Sequence, residues 1–205
     1  MKKQILLTIG LTALLATATQ ASQEQLAQSI KEAQGETART SEQLKATLGA
    51  LNALTTQKKG DLRPAYDAYC AEVAKTETAA GWTKTRVQWM GGDGRKYFDD
   101  WQSTVNGIAN KSLQKKAQKR LDAVKKEYDN VQASLVLAGD KFKPFLSDLT
   151  DIQKTLATDV TAGGVKAVKS TVSSANWNLQ YVDKAIKSAI KGMDKMQKAL
   201  SSEAK

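Results

Sequence analysis

Apolar side chains recur along this chain at alternating steps of three and four residues. From Leu26 the seam runs through Ile30, Ala33, Thr37, Thr40, Leu44, Leu48, Leu51 and Thr55. Such steps keep one stripe of an α-helix apolar, and sustained over several heptads they mark a helix packed along a partner. Lys59-Gly60-Asp61 breaks the run and Pro64 follows in the first turn of the next, the punctuation expected between two helices. A second run passes through Leu62, Tyr66, Tyr69, Val73, Thr76, Ala80, Thr83, Val87, Met90, Gly94, Tyr97, Trp101, Val105 and Ile108. It crosses Gly91-Gly92-Asp93-Gly94 without losing phase, so the reading is a helix through a weak point. Each glycine there costs the helix about 1 kcal/mol relative to alanine. A phosphate-binding loop is not indicated, because no strand precedes the cluster and no Lys-Ser/Thr follows it.

The third run is Leu113, Ala117, Leu121, Val124, Tyr128, Val131, Leu135, Ala138, Phe142, Phe145, Leu149, Ile152 and Leu156. The period continues on both sides of Pro144, which should therefore kink this helix and not end it. Thr161-Ala162-Gly163-Gly164 reads as the next turn. The fourth run, Val165, Val168, Val172, Ala175, Leu179, Val182, Ile186, Ala189, Met193, Met196 and Leu200, alternates strictly. No segment of useful length alternates with period two, so no strand is expected.

Short connections between long amphipathic helices make antiparallel neighbours. The pattern predicts an all-α, elongated, coiled-coil-like up-down-up-down four-helix bundle, with helices near 22–58, 62–108, 112–161 and 165–201 in one domain over 22–205. The middle two, about 70 Å against about 55 Å for the others, should project beyond them as a hairpin of roughly 98–123.

The first residues carry a different signal. Lys2 and Lys3 precede the apolar stretch Ile5 to Ala16, and small residues follow to Ala21. That is the form of a secretory signal peptide over 1–21, cut after Ala21 or alternatively after Ala18. The stretch is shorter than the roughly 20 apolar residues of a membrane-spanning helix. The expected product is an exported protein, periplasmic or extracellular. No cysteine follows the cleavage region, so no lipid attachment is expected, and Cys70 would pack as a small apolar group.

Several of these residues carry a resemblance. Gly60-Asp61-Leu62 at the start of the second helix, Tyr97-Phe98 with Trp101 near its end, and Lys141-Phe142-Lys143-Pro144-Phe145-Leu146 in the third resemble a bacterial family of exported, all-helical, coiled-coil-like proteins known only as a domain of unknown function. The likeness runs from about Gly60 to the C-terminus. It implies an envelope location and carries over no activity and no catalytic residue.

Charge then selects among functions. Lys and Arg number 31 and Asp and Glu 21. Residues 22–108 are balanced, whereas 109–205 hold 18 basic and 10 acidic side chains. Lys111, Lys115, Lys116, Lys119, Arg120, Lys125 and Lys126 crowd the start of the third helix, and Lys184, Lys187, Lys191, Lys195 and Lys198 stripe the fourth opposite its apolar face. Either they are the solvated face every bundle needs, or they contact an anionic membrane surface or an acidic envelope partner. Nucleic acid would suit the same charge, but export and the lack of any recognition motif argue against it.

Trp82 and Trp89, and Trp177 with Tyr181, point away from their own seams and are candidate interaction aromatics, in a partner contact or a homo-oligomer. Catalysis is not expected. The chain has no histidine, and Asp99 and Asp100, adjacent on a helix, diverge by about 100° and make no convergent acid/base pair. No metal or cofactor is expected. The leading expectation is a non-catalytic exported module with a basic end. Two alternatives are a homo-oligomeric scaffold and a bundle that opens onto membranes about hinges at Gly91, Gly92, Gly94 and Pro144.

Overall fold

A computed structural model describes residues 2–202, with side chains over 17–201. The chain is all-helical, and no strand occurs among the described residues. The helices are α1 (Lys2–Thr56), α2 (Arg63–Asn106), α3 (Lys111–Thr158), α4 (Ala162–Ala167) and α5 (Lys169–Ser202). The side chains of the expected leader up to Ala16 lie outside the described residues; the α1 backbone shows no break at Ala18 or Ala21.

Each connection has a local cause. Gly60 takes φ +91°, which only glycine adopts without strain. The Gln57 side chain closes this turn by donating to the Lys59 and Asp61 carbonyls, and Asp61 Oδ1 accepts from the Arg63 N–H at the start of α2. Asn110 Oδ1 accepts from the N–H groups of Ser112 and Leu113 and so caps α3. α2 runs unbroken through Gly91–Gly94, and α3 unbroken through Pro144.

The fourth run departs from expectation. It forms two helices, not one, and the first begins at Ala162 instead of 165. The cause is Thr161, whose hydroxyl accepts from the Gly163 and Gly164 N–H groups and nucleates a short turn of helix. Gly163 and Gly164 are therefore helical, not part of the turn. At Val168 the backbone flattens to φ −88°, ψ 0°, which interrupts the helix but stays in the right-handed region, so the apolar phase carries on into α5.

Packing divides the chain into two compact units that each take a piece of α1, α2, α3 and α5. Unit 1 is Met1–Gln34, Thr85–Ala133 and Lys191–Lys205; unit 2 is Gly35–Lys84 and Ser134–Ile190. The seam positions fill both cores, with Leu26, Ile30, Met90, Tyr97, Val124, Met193 and Met196 buried in unit 1 and Leu44, Leu51, Tyr69, Val73, Phe145, Leu149, Ile152 and Val182 in unit 2. Cys70 packs half-buried against the unit 2 core as a free thiol.

Hydrogen bonds tie the helices in each unit. In unit 1, Thr19 and Thr104 share one at 2.9 Å, Gln23 donates to the Leu200 carbonyl at 2.6 Å, and Gln102 and Gln118 exchange two. In unit 2, Thr47 meets Thr76 at 2.7 Å and Thr40 meets Thr83 at 2.9 Å, both between α1 and α2. Tyr69 donates to the Leu149 carbonyl at 2.6 Å and Tyr66 to that of Gln153 at 3.1 Å. Asn52 and Asn176 bond reciprocally, linking α1 to α5, while Asp148 accepts from Ser174 and Asn178, linking α3 to α5.

Candidate anionic-surface site

Ten of the twelve basic candidates belong to unit 1: Lys111, Lys115, Lys116, Lys119, Arg120, Lys125 and Lys126 on α3, and Lys191, Lys195 and Lys198 on α5. All ten are exposed. Lys184 and Lys187 fall in unit 2, where Lys187 pairs with Asp183 at 2.6 Å. Within unit 1 the two helices are joined by charge: Lys195 Nζ reaches Glu127 Oε2 at 2.8 Å.

Few of these cations are neutralised. Lys125 pairs with Asp129 at 3.0 Å and lies 5.8 Å from the Phe98 ring centre, and Lys111 donates to the Gln114 side chain. Asp122, the acid in their midst, is taken by Gln118 at 2.9 Å. Lys115, Lys116, Lys119, Lys126, Lys191 and Lys198 make no ion pair among the described residues. An exposed pair would contribute at most about 1 kcal/mol to stability. What matters is the field of six ammonium groups free to meet an external anion.

The aromatics lie outside, as their angle to the seam predicts. Trp82, Trp89, Trp177 and Tyr181 are all about half-exposed. Arg86 covers the Trp89 ring at 4.7 Å while reaching Glu32 at 2.6 Å, and Trp177 meets Tyr181 edge-on at 5.7 Å. Trp89 belongs to unit 1 and the other three to unit 2. Trp101 is half-buried beside Tyr97.

The glycine cluster has a packing role that periodicity does not reveal. Asp93 accepts hydrogen bonds from Gln25, at 2.7 Å, and from Ser29, both on α1. On the α3 side the ring of Tyr128 lies against Gly94 so closely that a Cβ there would collide with it. The Tyr128 hydroxyl donates to the Met90 carbonyl at 2.8 Å and accepts from Gln132 at 2.7 Å. Gly91 and Gly92 have ordinary room, with the nearest atoms 3.9 and 4.0 Å from a built Cβ. Of the three, then, only Gly94 is demanded by a neighbour. The carboxylates nearby diverge: Asp93 turns to α1, Asp99 is exposed, and Asp100 is held below the ordinary carboxylate range chiefly by its hydrogen bond to Lys96.

Burial pushes the Tyr128 phenol up to about 12. A folded-state value above the ordinary value of about 10 means the folded unit holds the proton more tightly than the unfolded chain. The resulting stabilisation is complete below pH ~10 and lost as pH climbs through ~12. Denaturant melts should therefore show the wild type losing roughly 2 kcal/mol relative to Tyr128→Phe between those limits. Parallel pH profiles for the two proteins would remove the argument.

One apolar residue leaves the seam pattern. Leu113 keeps the phase of Ala117, Leu121 and Val124, yet it is 56% exposed where Leu121 is 3% and Val124 2%. Among the described residues no helix is long and apolar enough to cross a membrane, and no three His, Cys, Asp or Glu side chains are grouped to hold a metal ion.

The family model described as protein of unknown function (DUF2959) matches residues 16–200. The chain belongs to the DUF2959 family. The match begins well before Gly60, so the family features extend over most of α1 as well as the segments that carry the resemblance. No curated protein matches this DUF2959 chain.

Proposed function

We propose that this DUF2959 protein is a non-catalytic, exported envelope module whose basic end contacts an anionic surface. The observation that carries the reading is the group of exposed lysines in unit 1 without ion pairs among the described residues, with Asp122 engaged by Gln118. The leader pattern of Lys2, Lys3 and Ile5 to Ala16 supports export, with cleavage near Ala21.

The framework is an antiparallel, up-down-up-down arrangement of α1, α2, α3 and α5 within each unit, with α4 as the first turn of the last arm. Its support is the order of the contacts. In unit 2, Thr40 meets Thr83 and Thr47 meets Thr76, so α1 and α2 number in opposite directions. Tyr66 with Gln153 and Tyr69 with Leu149 do the same for α2 and α3. In unit 1, Thr19 bonds to the Asp100 carbonyl and to Thr104. Removal of the leader after Ala21 starts α1 close to the level of Asp100, and the end of the α2–α3 hairpin then extends past it.

The test is salt. The exported protein should bind phosphatidylcholine vesicles that contain phosphatidylglycerol, and sedimentation should show binding falling at least about tenfold from ~50 to ~300 mM salt as the screening length shortens. Binding insensitive to salt would end the proposal.

A further inference from the structure

We infer that the anionic surface met by the basic end of unit 1 is a lipid bilayer, entered by the side chain of Leu113. The inference rests on the proposed function and adds the class of partner. A single exposed leucine ordinarily carries no message. This one occupies the phase of a buried seam, in the first turn of α3, and is 56% exposed. Lys111, Lys115 and Lys116 flank it, all exposed, and Ile108 lies half-buried in the connection just before.

Three kinds of partner could cover such an end, and charge and polarity separate them. A second copy would set Lys111, Lys115 and Lys116 against their own duplicates, and like charges at close range repel. A soluble acidic partner would satisfy the ammonium groups and offer nothing in particular to Leu113. An anionic bilayer satisfies both: headgroup phosphates meet the lysines, whose long stems reach outward, and the leucine passes to the acyl boundary.

The experiment compares the exported protein with Leu113→Gln and Leu113→Phe, each confirmed helical by circular dichroism. Binding is measured to phosphatidylcholine vesicles with and without phosphatidylglycerol, and to soluble polyglutamate. Leu113→Gln should weaken binding to the anionic vesicles about tenfold and, since it adds no charge, leave polyglutamate binding unchanged, while Leu113→Phe binds the vesicles at least as well as wild type. Should Leu113→Gln fail to fold, Leu113→Ala takes its place, with the same expected loss on anionic vesicles and none on polyglutamate. If both variants bind anionic vesicles like wild type, or Leu113→Gln weakens vesicles and polyglutamate alike, the leucine does not enter lipid and the inference is overturned while the basic-end reading stands. If the wild type binds neither target, both fall together.

Discussion

Reversing three charges, Lys115, Lys116 and Lys119→Glu, should abolish most of the affinity of this protein for anionic vesicles. Each lysine near an anionic surface contributes about 1 kcal/mol. Loss of three such contributions corresponds to roughly a hundredfold weaker binding, and the new carboxylates add repulsion. The fold should not change, because all three side chains are exposed and none has an ion pair among the described residues to lose. The thermal midpoint should move little, and relief of crowding among like charges favours the variant. Vesicle flotation with wild type alongside is the measurement. An affinity within about threefold of wild type would show that these lysines are only a solvated face. A control reversal of Lys184 and Lys187, which lie in unit 2, should have much the smaller effect.

The largest effect on stability is expected at Gly94. Leucine there must displace the Tyr128 ring, breaking its hydrogen bonds to the Met90 carbonyl and Gln132. Overpacking of this kind typically costs about 1–3 kcal/mol, and loss of the buried hydroxyl's partner adds about 1–3 kcal/mol. Against that stands a gain of about 1 kcal/mol in helix propensity. The net expectation is a loss of about 3 kcal/mol in denaturant melts. Gly91→Ala and Gly92→Ala should do the reverse, each stabilising by up to about 1 kcal/mol, since both positions are helical and have room for a methyl group. Were all three to stabilise alike, the close contact with Tyr128 would have no energetic weight, and the cluster would be merely a run of poor helix formers.

These two cases mark how far the sequence could be read. The path of α2 through Gly91–Gly94 was legible because Val87, Gly94 and Trp101 stay seven apart, which a loop would seldom preserve. The outward aim of Trp82, Trp89, Trp177 and Tyr181 was legible for the same reason, since 100° per residue fixes their angle to the seam. The contact between Tyr128 and Gly94 was not. Periodicity puts both on apolar stripes but does not say that one ring rests on the other's backbone. The break at Val168 was hidden because a residue that stays right-handed preserves phase. The exposure of Leu113 was hidden in the opposite sense: heptad position predicts burial wherever a partner helix exists, and phase alone cannot say where the cover stops. The lysines were legible as two clusters, but their division between the units depends on tertiary contacts that no local pattern encodes.

The threonine pairs of unit 2 carry a consequence of their own. A seam built of leucine and alanine alone is nearly self-similar every seven residues, so two such helices can slide by one heptad at little cost. Here a slide in one direction would set Thr47 against Tyr69 and bring Thr76 to Thr40; in the other it would set Thr76 against Leu54 and bring Thr47 to Thr83, so that either way one of the two threonine pairs is lost. Thr47 keeps its bond to the Gln43 carbonyl of its own helix, so the cost of either slide is at least one inter-helix hydrogen bond, about 0.5–1.5 kcal/mol. The hydroxyls therefore act as teeth: α1 and α2 can part and close again, but both pairs mesh at only one setting.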